Sequence, residues 1–196
     1  YRLLNELIDE IFSEDLNHIQ YQISFVRLLS DLIELMHTLA INVLDLEDNR
    51  SIFEKIYELK SREEVKDWFI SVIIDPLLQK IEDRAESQYK TISENIVHII
   101  HEEFESNITL DMIANRLHYN PNYLSSIFRK EMNISFSEYL SMYRINMAKK
   151  WLAETDISVK EISDRLNFNN SQNFIRSFKK IEGTTPGKYR ESIRAT

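Results

Sequence analysis

The sequence has 196 residues and contains no cysteine, only two glycines and only three prolines. Without cysteine the chain can form no disulfide, no thiolate zinc site and no cysteine nucleophile. Hairpin turns and phosphate-binding loops depend on glycine, so its scarcity argues against a sheet-rich protein and against a P-loop enzyme. Residues of high helix propensity fill the rest of the chain, which predicts an all-α fold.

Long hydrophobic runs are also missing. The longest uncharged stretches have about ten residues, as in LMHTLAINVL, whereas a membrane-spanning helix needs about 20. No signal peptide opens the sequence, so a cytoplasmic location is expected. Because the sequence starts abruptly with YRLLNEL, we expect it to be part of a longer protein, and a membrane anchor upstream would be compatible with it.

The formal net charge of −8 is unfavourable for a nucleic-acid-binding protein, but it is unevenly distributed. Residues 1–90 carry 10 Lys and Arg against 19 Asp and Glu, a net charge of −9. Residues 91–196 carry 14 against 13, and from Thr109 onward the count is 14 against 9. This asymmetry predicts two regions with separate roles, an acidic one at 1–90 and a mildly basic one at 91–196.

Residues 1–90 are predicted to be helical. A long helix is expected from about Asp15 to Leu44, because apolar residues recur there in alternating steps of four and three. This heptad-like stripe consists of Phe25, Leu29, Leu32, Met36, Leu39 and Val43. LEDNRS (46–51) should interrupt the helix, and residues 51–90 should form one or two further helices, with Pro76 near a first turn or a kink.

Three roles are open for residues 1–90. They could form a homodimer, relay a signal without self-association, or bind a small molecule. The heptad-like stripe favours a homodimer, although the same residues could form an internal core.

From Thr91 onward the sequence predicts shorter helices with clear capping signals. The candidate N-cap residues are Thr109, Asn120, Ser135, Ser158, Asn170 and Thr185. Pro121 and Pro186 follow two of these caps, and Glu138 and Glu161 complete predicted capping boxes. The expected helices span about 92–104, 110–117, 121–132, 136–154, 159–166, 171–182 and 186–194.

One phrase occurs twice in this region. IANRLHYNPNYLSSIFRK (113–130) matches ISDRLNFNNSQNFIRSFKK (162–180), with one extra residue in the second turn. Each copy predicts a helix-turn-helix, at about 109–133 and 158–183, with a linker helix at about 136–154 between them. The residues expected to face inward are Ile113, Leu117, Leu124 and Phe128 in the first copy and Ile162, Leu166, Phe174 and Phe178 in the second.

The dimensions of this arrangement fit double-stranded DNA. A linker helix of about 18 residues is about 27 Å long, close to the roughly 34 Å of one turn of B-DNA. The outward-facing residues of the two second helices are Asn122, Ser125, Ser126 and Arg129, and Ser171, Gln172, Ile175, Arg176 and Lys179. Gln pairs well with adenine and Arg with guanine. The alternative is a helical protein-interaction or signal-relay scaffold that does not bind DNA.

Residues 92–194 resemble the DNA-binding domain of the AraC/XylS family of bacterial transcription regulators. The resemblance rests on YLSSIFRKEMNISFSEYLSMYRINMAKKWL (123–152) and on ISVKEISDRLNFNNSQNFIRSFKKIEGTTPGKYR (157–190). It implies an all-α fold of tandem, homeodomain-like helix-turn-helix subdomains joined by a long linker helix and preceded by a helical region. It also implies transcription regulation, with activation as the family habit, and double-stranded DNA and RNA polymerase as partners.

The resemblance further implies roles for individual residues. Base contacts are expected from Asn122, Ser125, Ser126, Ser171, Gln172 and Arg176. Phosphate contacts are expected from Arg129, Lys130, Lys179 and Lys180, whereas Pro186, Tyr189 and Arg190 should be structural. The chain departs from the family pattern at Asn133, Ser163 and Asn173, where glycine, alanine and tyrosine are common. The second helix of the first copy offers serines where bulkier residues often occur. The second copy is therefore the stronger candidate for sequence specificity.

Neither an enzyme, a metal nor a cofactor is expected. His98 and His101 lie one helical turn apart beside Glu102 and Glu103, but no third ligand stands at a typical spacing, so a solvated helix face is the simpler interpretation. No Ser/His/Asp arrangement, glycine-rich loop or cofactor motif occurs. Residues 1–90 resemble, more loosely, the helical segment that precedes this domain in response regulators and membrane-anchored sensor regulators. A receiver or sensor domain is then expected upstream of Tyr1.

Overall fold

The structure is a computed structural model that describes residues 1–13, 17–39, 41 and 49–195. Its contacts divide the chain into two compact units, an N-terminal unit (Tyr1–Glu86) and a C-terminal unit (Ser87–Thr196). Within the described residues every regular element is helical, which confirms the all-α prediction. None of the described helices is both long and apolar enough to cross a membrane.

The N-terminal unit contains four helices, α1 (Arg2–Ser13), α2 (His18–Thr38), α3 (Asn49–Glu58) and α4 (Arg62–Trp68), among its described residues. A π-helical segment (Phe69–Ile74) and the start of α5 (Asp75–Glu103) follow them. Its main core consists of Leu4, Ile8, Phe25, Leu29, Ile52, Ile56, Val65, Trp68, Phe69 and Ile73. A smaller buried cluster joins Met36, Ile41 and Leu77.

The helix α2 is shorter than the helix predicted for residues 15–44. It starts at a capping box, in which the Asn17 side chain accepts a hydrogen bond from the backbone N–H of Gln20 at 3.0 Å. It ends at Thr38, and residues 15, 16, 40 and 42–44 of the predicted helix lie outside the described residues. Of the predicted interruption at 46–51, residues 46–48 lie outside the described residues and 49–51 belong to α3.

The heptad-like stripe of α2 packs largely within its own unit. Phe25, Leu29 and Met36 are buried, whereas Leu39 is exposed and Val43 lies outside the described residues. Most of this apolar face therefore forms internal core rather than free surface for a second copy.

A π-helical segment precedes Pro76, the second residue of α5. Proline has no N–H, and its ring collides with the carbonyl four residues earlier in a regular α-helix. In the wider π-helical turn the N–H of Asp75 instead bonds to the carbonyl of Ile70, five residues earlier. The irregularity expected near Pro76 thus takes the form of a π-helical segment.

The C-terminal unit contains the later part of α5 and six further helices among its described residues. These are α6 (Leu110–Leu117), α7 (Pro121–Met132), α8 (Phe136–Glu154), α9 (Val159–Arg165), α10 (Ser171–Glu182) and α11 (Pro186–Arg194), which match the predicted helices within one residue at each end. The separate helix predicted at 92–104 is instead the C-terminal part of α5, because no glycine or internal proline interrupts the helix formers between Leu77 and Glu103.

Every predicted N-cap side chain in this unit accepts a hydrogen bond from the first turn of its helix. Ser135 and Glu138 form a complete capping box, but at Ser158 only the serine half forms, since the Glu161 carboxylate pairs with Arg165 at 2.7 Å. Local sequence signals therefore fix where these helices begin.

The linker helix α8 buries different faces along its length. Phe136 and Leu140 are buried in its first half, and Ile145, Ala148 and Leu152 in its second half. The step of five residues from Leu140 to Ile145 moves the apolar stripe around the helix axis, since four residues keep one face and five do not. α8 can therefore pack against α7 on one side and against α9, α10 and α11 on the other.

Candidate nucleic-acid interface

Two helix-turn-helix units of similar construction make up most of the C-terminal unit. From here on, the first and the second unit are these two helix-turn-helix units. In the first, His118 ends α6 in the left-handed conformation (φ 59°) and the N–H of Tyr119 bonds to the carbonyl of Ala114 at 2.9 Å. In the second, Asn167 has φ 55° and the N–H of Phe168 bonds to the carbonyl of Ser163 at 3.1 Å. The same closing bond thus aims α7 and α10 away from the helices that precede them.

The inward faces of both units are apolar, as predicted. Ile113, Leu124 and Phe128 are buried in the first unit, as are Ile162, Leu166, Phe174 and Phe178 in the second. Leu117 is only half-buried but packs against the same core. These side chains anchor α7 and α10 to one continuous hydrophobic core.

One aromatic contact occurs in both helix-turn-helix units. The rings of Phe128 and Tyr139 meet edge to face with centroids 5.7 Å apart, and those of Phe178 and Tyr189 do so at 5.5 Å. In each unit the phenylalanine lies on the second helix and the tyrosine on the helix that follows. This contact fixes how each second helix packs on its successor, and it supports the structural role predicted for Tyr189.

Arginines fasten the chain that leads into each unit. Arg144 on α8 donates to the carbonyls of Phe104 at 2.8 Å and Ser106 at 2.7 Å. Arg194 on α11 donates to the carbonyl of Thr155 at 2.9 Å and to the carboxylate of Asp156 at 2.7 Å. Burial lowers the pKa of Arg144, because its guanidinium is partly removed from water.

Sequence reasoning missed this pair of arginines. The repeat marks them as equivalent positions, because each stands nine residues after a helix-capping residue, Ser135 or Thr185, but it does not identify their partners. Arg190, predicted to be structural, adds bonds to the carbonyls of Ile157 at 2.5 Å and Leu152 at 3.4 Å.

The outward residues of α7 form a polar surface. Asn122, Ser125, Ser126 and Arg129 are all exposed. Lys130 is exposed too, but its ammonium group lies 4.8 Å from the centre of the Tyr89 ring on α5. This cation–π contact turns Lys130 towards α5 rather than towards the side of α7 that carries the serines.

The outward residues of α10 are longer and more basic. Gln172, Arg176 and Lys179 are exposed, whereas Ser171 and Ile175 are half-buried. Among the described residues no ion pair engages Arg176 or Lys179. Their charges are therefore available to a ligand that approaches this face.

One carboxylate lies close to the basic residues of both second helices. Hydrogen bonds from the hydroxyl and backbone N–H of Ser135 lower the pKa of Glu138, and the nearby charges of Arg129 and Lys180 lower it further. Arg129 and Lys180 therefore both lie near a negative charge.

His98 and His101 of α5 are both exposed, and each also contacts a neighbouring side chain. The ring of His101 stacks on Tyr143 with centroids 4.3 Å apart, and its Nε2 lies 3.3 Å from the Tyr139 hydroxyl. His98 pairs with Glu102 at 3.3 Å. No group of three metal-binding side chains occurs in the part of the chain that the structure describes.

Comparison with known proteins places this arrangement in a family. A helix-turn-helix domain model matches residues 113–192. The probable transcription factor PqrA of Proteus vulgaris is 34% identical over 107 residues, which cover 52% of this chain and 88% of PqrA. The chain belongs to the AraC family of helix-turn-helix transcriptional regulators.

Other AraC-type relatives extend the similarity. The uncharacterized HTH-type transcriptional regulator YtdP of Bacillus subtilis is 56% identical over 194 residues, 99% of this chain but 25% of YtdP. The C-terminal domain of AraT, a response regulator from Geobacillus stearothermophilus, is 30% identical with a TM-score of 0.50, covering 52% of this chain and 84% of that domain. The chain thus spans about a quarter of YtdP, and less than half of the Msm operon regulatory protein of Streptococcus mutans and of the regulator YijO of Escherichia coli.

Proposed function

We propose that this protein binds double-stranded DNA in a sequence-specific way, with α7 and α10 in two successive major grooves, and that it activates transcription. The observation that carries the proposal is the doubled helix-turn-helix, in which each unit exposes the polar face of its second helix. The linker α8 has 19 residues. A helix of that size is about 28 Å long, and neighbouring major grooves on one face of B-DNA are about 34 Å apart.

The second helix-turn-helix unit supplies the stronger base-recognition residues. Gln172 and Arg176 are exposed and long enough to reach base edges, and they match the side chains that bind adenine and guanine in two-point contacts. Asn122, Ser125 and Ser126 of the first unit are shorter, so we propose that this unit contributes less specificity. Ser171, at the first position of α10, is the third proposed base contact of this helix.

Phosphate contacts are assigned mainly to Arg129 and Lys179. Both are exposed and stand at matching positions of α7 and α10. Lys130 is a secondary candidate because its ammonium group contacts the Tyr89 ring. Lys180 is a further candidate, and Glu138 lies near both Arg129 and Lys180. Neutralised phosphates give affinity for any sequence, and base contacts add the difference between sequences.

Fluorescence anisotropy with a random pool of duplex DNA tests the proposal. The full chain should bind with a log–log salt slope of several units. Sequencing of the bound fraction should show two boxes about one helical turn apart. A folded sample that binds no duplex at low salt would favour a protein-interaction scaffold, and an enriched site with a single box would contradict the use of two grooves.

Further partners follow from family membership and from the length of the relatives. We propose that RNA polymerase is the second partner during activation, and that a sensor or receiver domain precedes this segment in the whole protein, with the DNA-binding part in the cytoplasm. A promoter-reporter assay checks activation, since repression of the reporter by the intact protein would contradict it.

A homodimer through residues 1–90 remains a proposal as well. Ile19 and Ile23 lie four residues apart on α2 and are 67% and 55% exposed, so they form an apolar strip that the core of the unit does not cover. Sedimentation velocity of the wild type and of an Ile19→Glu, Ile23→Glu variant would test it. A wild-type monomer at high micromolar concentration would contradict the proposal.

A further inference from the structure

The two helix-turn-helix units use one arginine of the repeated phrase in different ways. Arg116 on α6 and Arg165 on α9 stand at matching positions, each directly before a leucine. Arg165 pairs with Glu161 of its own helix at 2.7 Å. Arg116 instead pairs with Glu103, the last residue of α5. This arginine therefore ties the first unit to a helix outside the repeat, whereas its counterpart makes a local pair within α9.

The pair between Arg116 and Glu103 is bidentate. Its two hydrogen bonds join Nη1 to Oε1 at 2.5 Å and Nη2 to Oε2 at 3.2 Å. Two parallel bonds of this kind resist rotation as well as separation, so they fix the orientation of α6 on the end of α5. The hydrogen bond from Arg116 lowers the pKa of Glu103, and the carboxylate is therefore charged at neutral pH.

A second contact joins α5 to the first unit. The ammonium group of Lys130, near the end of α7, lies 4.8 Å from the centre of the Tyr89 ring on α5. The ion pair of Glu103 holds α6, and this cation–π contact holds α7. Both helices of the first unit are thus fastened to the same helix.

The later part of α5 is itself firmly held. Ile96 and Ile100 are fully buried in the core that the two units share. The ring of His101 stacks on Tyr143 of α8 with centroids 4.3 Å apart, and the buried Phe104, directly after α5, meets the same tyrosine edge to face. Because these contacts hold α5 in place, Glu103 gives α6 a fixed point of attachment.

The second unit is fastened differently. Among the described residues no ion pair and no aromatic contact joins residues 87–103 to α9 or α10. Lys149 of α8 pairs with Glu182 at the end of α10 at 2.8 Å instead. Beyond the aromatic contact that both units have, α7 is therefore positioned through α5 and α10 through α8.

We propose that Glu103 is a positioning residue for DNA recognition by the first unit. Through Arg116 it holds α6, and with it α7, at the angle at which α7 enters its groove. The second unit reads its box independently of Glu103. This inference rests on the proposed binding of two DNA boxes by α7 and α10.

The penalty for scrambling one box, which is the factor by which the affinity then falls, tests the proposal. Fluorescence anisotropy of the full chain and of a Glu103→Ala variant is measured on the selected two-box duplex and on duplexes with either box scrambled. Changes in net charge or in the folded fraction alter all three affinities alike, so they cancel in the penalty. DNA cleavage by an iron chelate on an Asn122→Cys variant identifies the box that α7 contacts, since the chain has no other cysteine.

A loss at one box only is the expected result. In Glu103→Ala the penalty for scrambling the α7 box should shrink about threefold, and the penalty at the other box should stay as in the wild type. The variant carries one negative charge less, which by itself favours binding to any DNA, so a change in charge cannot imitate this loss. Unchanged penalties at both boxes, or equal reductions at both, would overturn the proposal.

Matched variants separate the ion pair from other effects. Glu105→Ala removes an exposed carboxylate that forms no ion pair with a described residue, and Glu161→Ala removes the local partner of Arg165. If either control reduced the penalty at the α7 box as much as Glu103→Ala does, the proposal would be wrong. A Glu103→Arg, Arg116→Glu double variant rebuilds the pair with its charges exchanged and should recover most of that penalty. No recovery would show that the pair does not carry the effect.

The wild type distinguishes a failure of this proposal from a failure of the proposed function. If the wild type selects no two-box site, recognition by both units is wrong, and so is the role of Glu103. If the wild type shows a penalty at both boxes and Glu103→Ala shows the same two penalties, only the role of Glu103 is wrong. Circular dichroism confirms that each variant is folded.

Discussion

The two helix-turn-helix units share three pairs of residues that occupy corresponding places and make corresponding contacts. These pairs are Phe128 and Phe178, Tyr139 and Tyr189, and Arg144 and Arg194. The outward residues differ at the same time. Ser126 stands where the second unit has Arg176, and Ser125 where it has Ile175.

This contrast separates scaffold from recognition. Repeated inward contacts keep each second helix in the same position, so the outward side chains can differ without a change in the fold. The framework therefore predicts equal structural roles for the two units, and their surfaces predict unequal roles in DNA recognition.

The largest expected effect comes from removing a framework phenylalanine. Phe128→Ala and Phe178→Ala should each lower the free energy of unfolding by about 3–5 kcal/mol, because both rings are fully buried and each meets a tyrosine edge. Urea unfolding of the full chain, followed by circular dichroism, measures the loss.

Leucine variants are the matched controls. Phe128→Leu and Phe178→Leu keep most of the apolar volume and should cost much less than the alanine variants. A severe loss in one unit with a loss below about 1 kcal/mol in the other would refute the structural equivalence of the units.

The local features of this fold were predictable from the sequence, and the long-range ones were not. Caps such as Thr109 and Asn120 act on the next three residues, and the inward positions follow from helical periodicity, so short windows of sequence contain them. The bonds of Arg144 span 38 and 40 residues, and the contact of Lys130 with Tyr89 spans two helices. Helical periodicity and capping patterns do not encode such pairings.

The same limit applies to the candidate interface. Periodicity placed Gln172 and Arg176 on the outward face of α10, and both are exposed. It also placed Ile175 there, which is half-buried and packs against the core. Which outward residues touch bases stays a prediction, because only a bound duplex defines those contacts.

The next effect sharpens the difference in recognition. Arg176→Ala should weaken binding to the cognate site by about 1–3 kcal/mol and relax the preference at one base pair. Ser126→Ala, the matching change in the first unit, should have a much smaller effect because a hydroxyl makes at most a single-point contact. Anisotropy titrations on the selected site and its single-base variants measure both.

Lys179→Ala serves as the comparison for a phosphate contact. It should weaken cognate and random DNA similarly and reduce the salt slope by about one unit. If Arg176→Ala instead weakened all sequences equally, Arg176 would be a phosphate ligand and the assignment of specificity to the second unit would fail.

A core position distinguishes the units more subtly. Ser163 is fully buried and its Oγ makes no hydrogen bond within the described residues, whereas the matching residue of the first unit is Ala114, also fully buried. Ser163→Ala should therefore stabilise the protein by about 1 kcal/mol, since it removes an unpaired hydroxyl. Chemical unfolding measures the change.

The reverse substitution is its control. Ala114→Ser should destabilise the protein by about 1–3 kcal/mol, because it introduces the same unpaired hydroxyl in the first unit. A loss of stability in Ser163→Ala would mean that the hydroxyl makes a favourable interaction, and the contrast between the two positions would disappear.

The smallest effect concerns the residues that end α7 and α10. Asn133 (φ 58°) and Gly183 (φ 75°) both adopt the left-handed conformation, which glycine reaches without strain and asparagine at some cost. Nothing lies within 4 Å of a β-carbon placed on Gly183, so only the backbone preference distinguishes the two residues there. Asn133→Gly should stabilise the protein by a few tenths of a kcal/mol up to about 1, and Gly183→Asn should destabilise it by a similar amount.

Thermal unfolding of both variants and of the double exchange measures these changes, and the double exchange should return close to the wild-type midpoint. A large net change in the double exchange would show that the two helix ends are not equivalent.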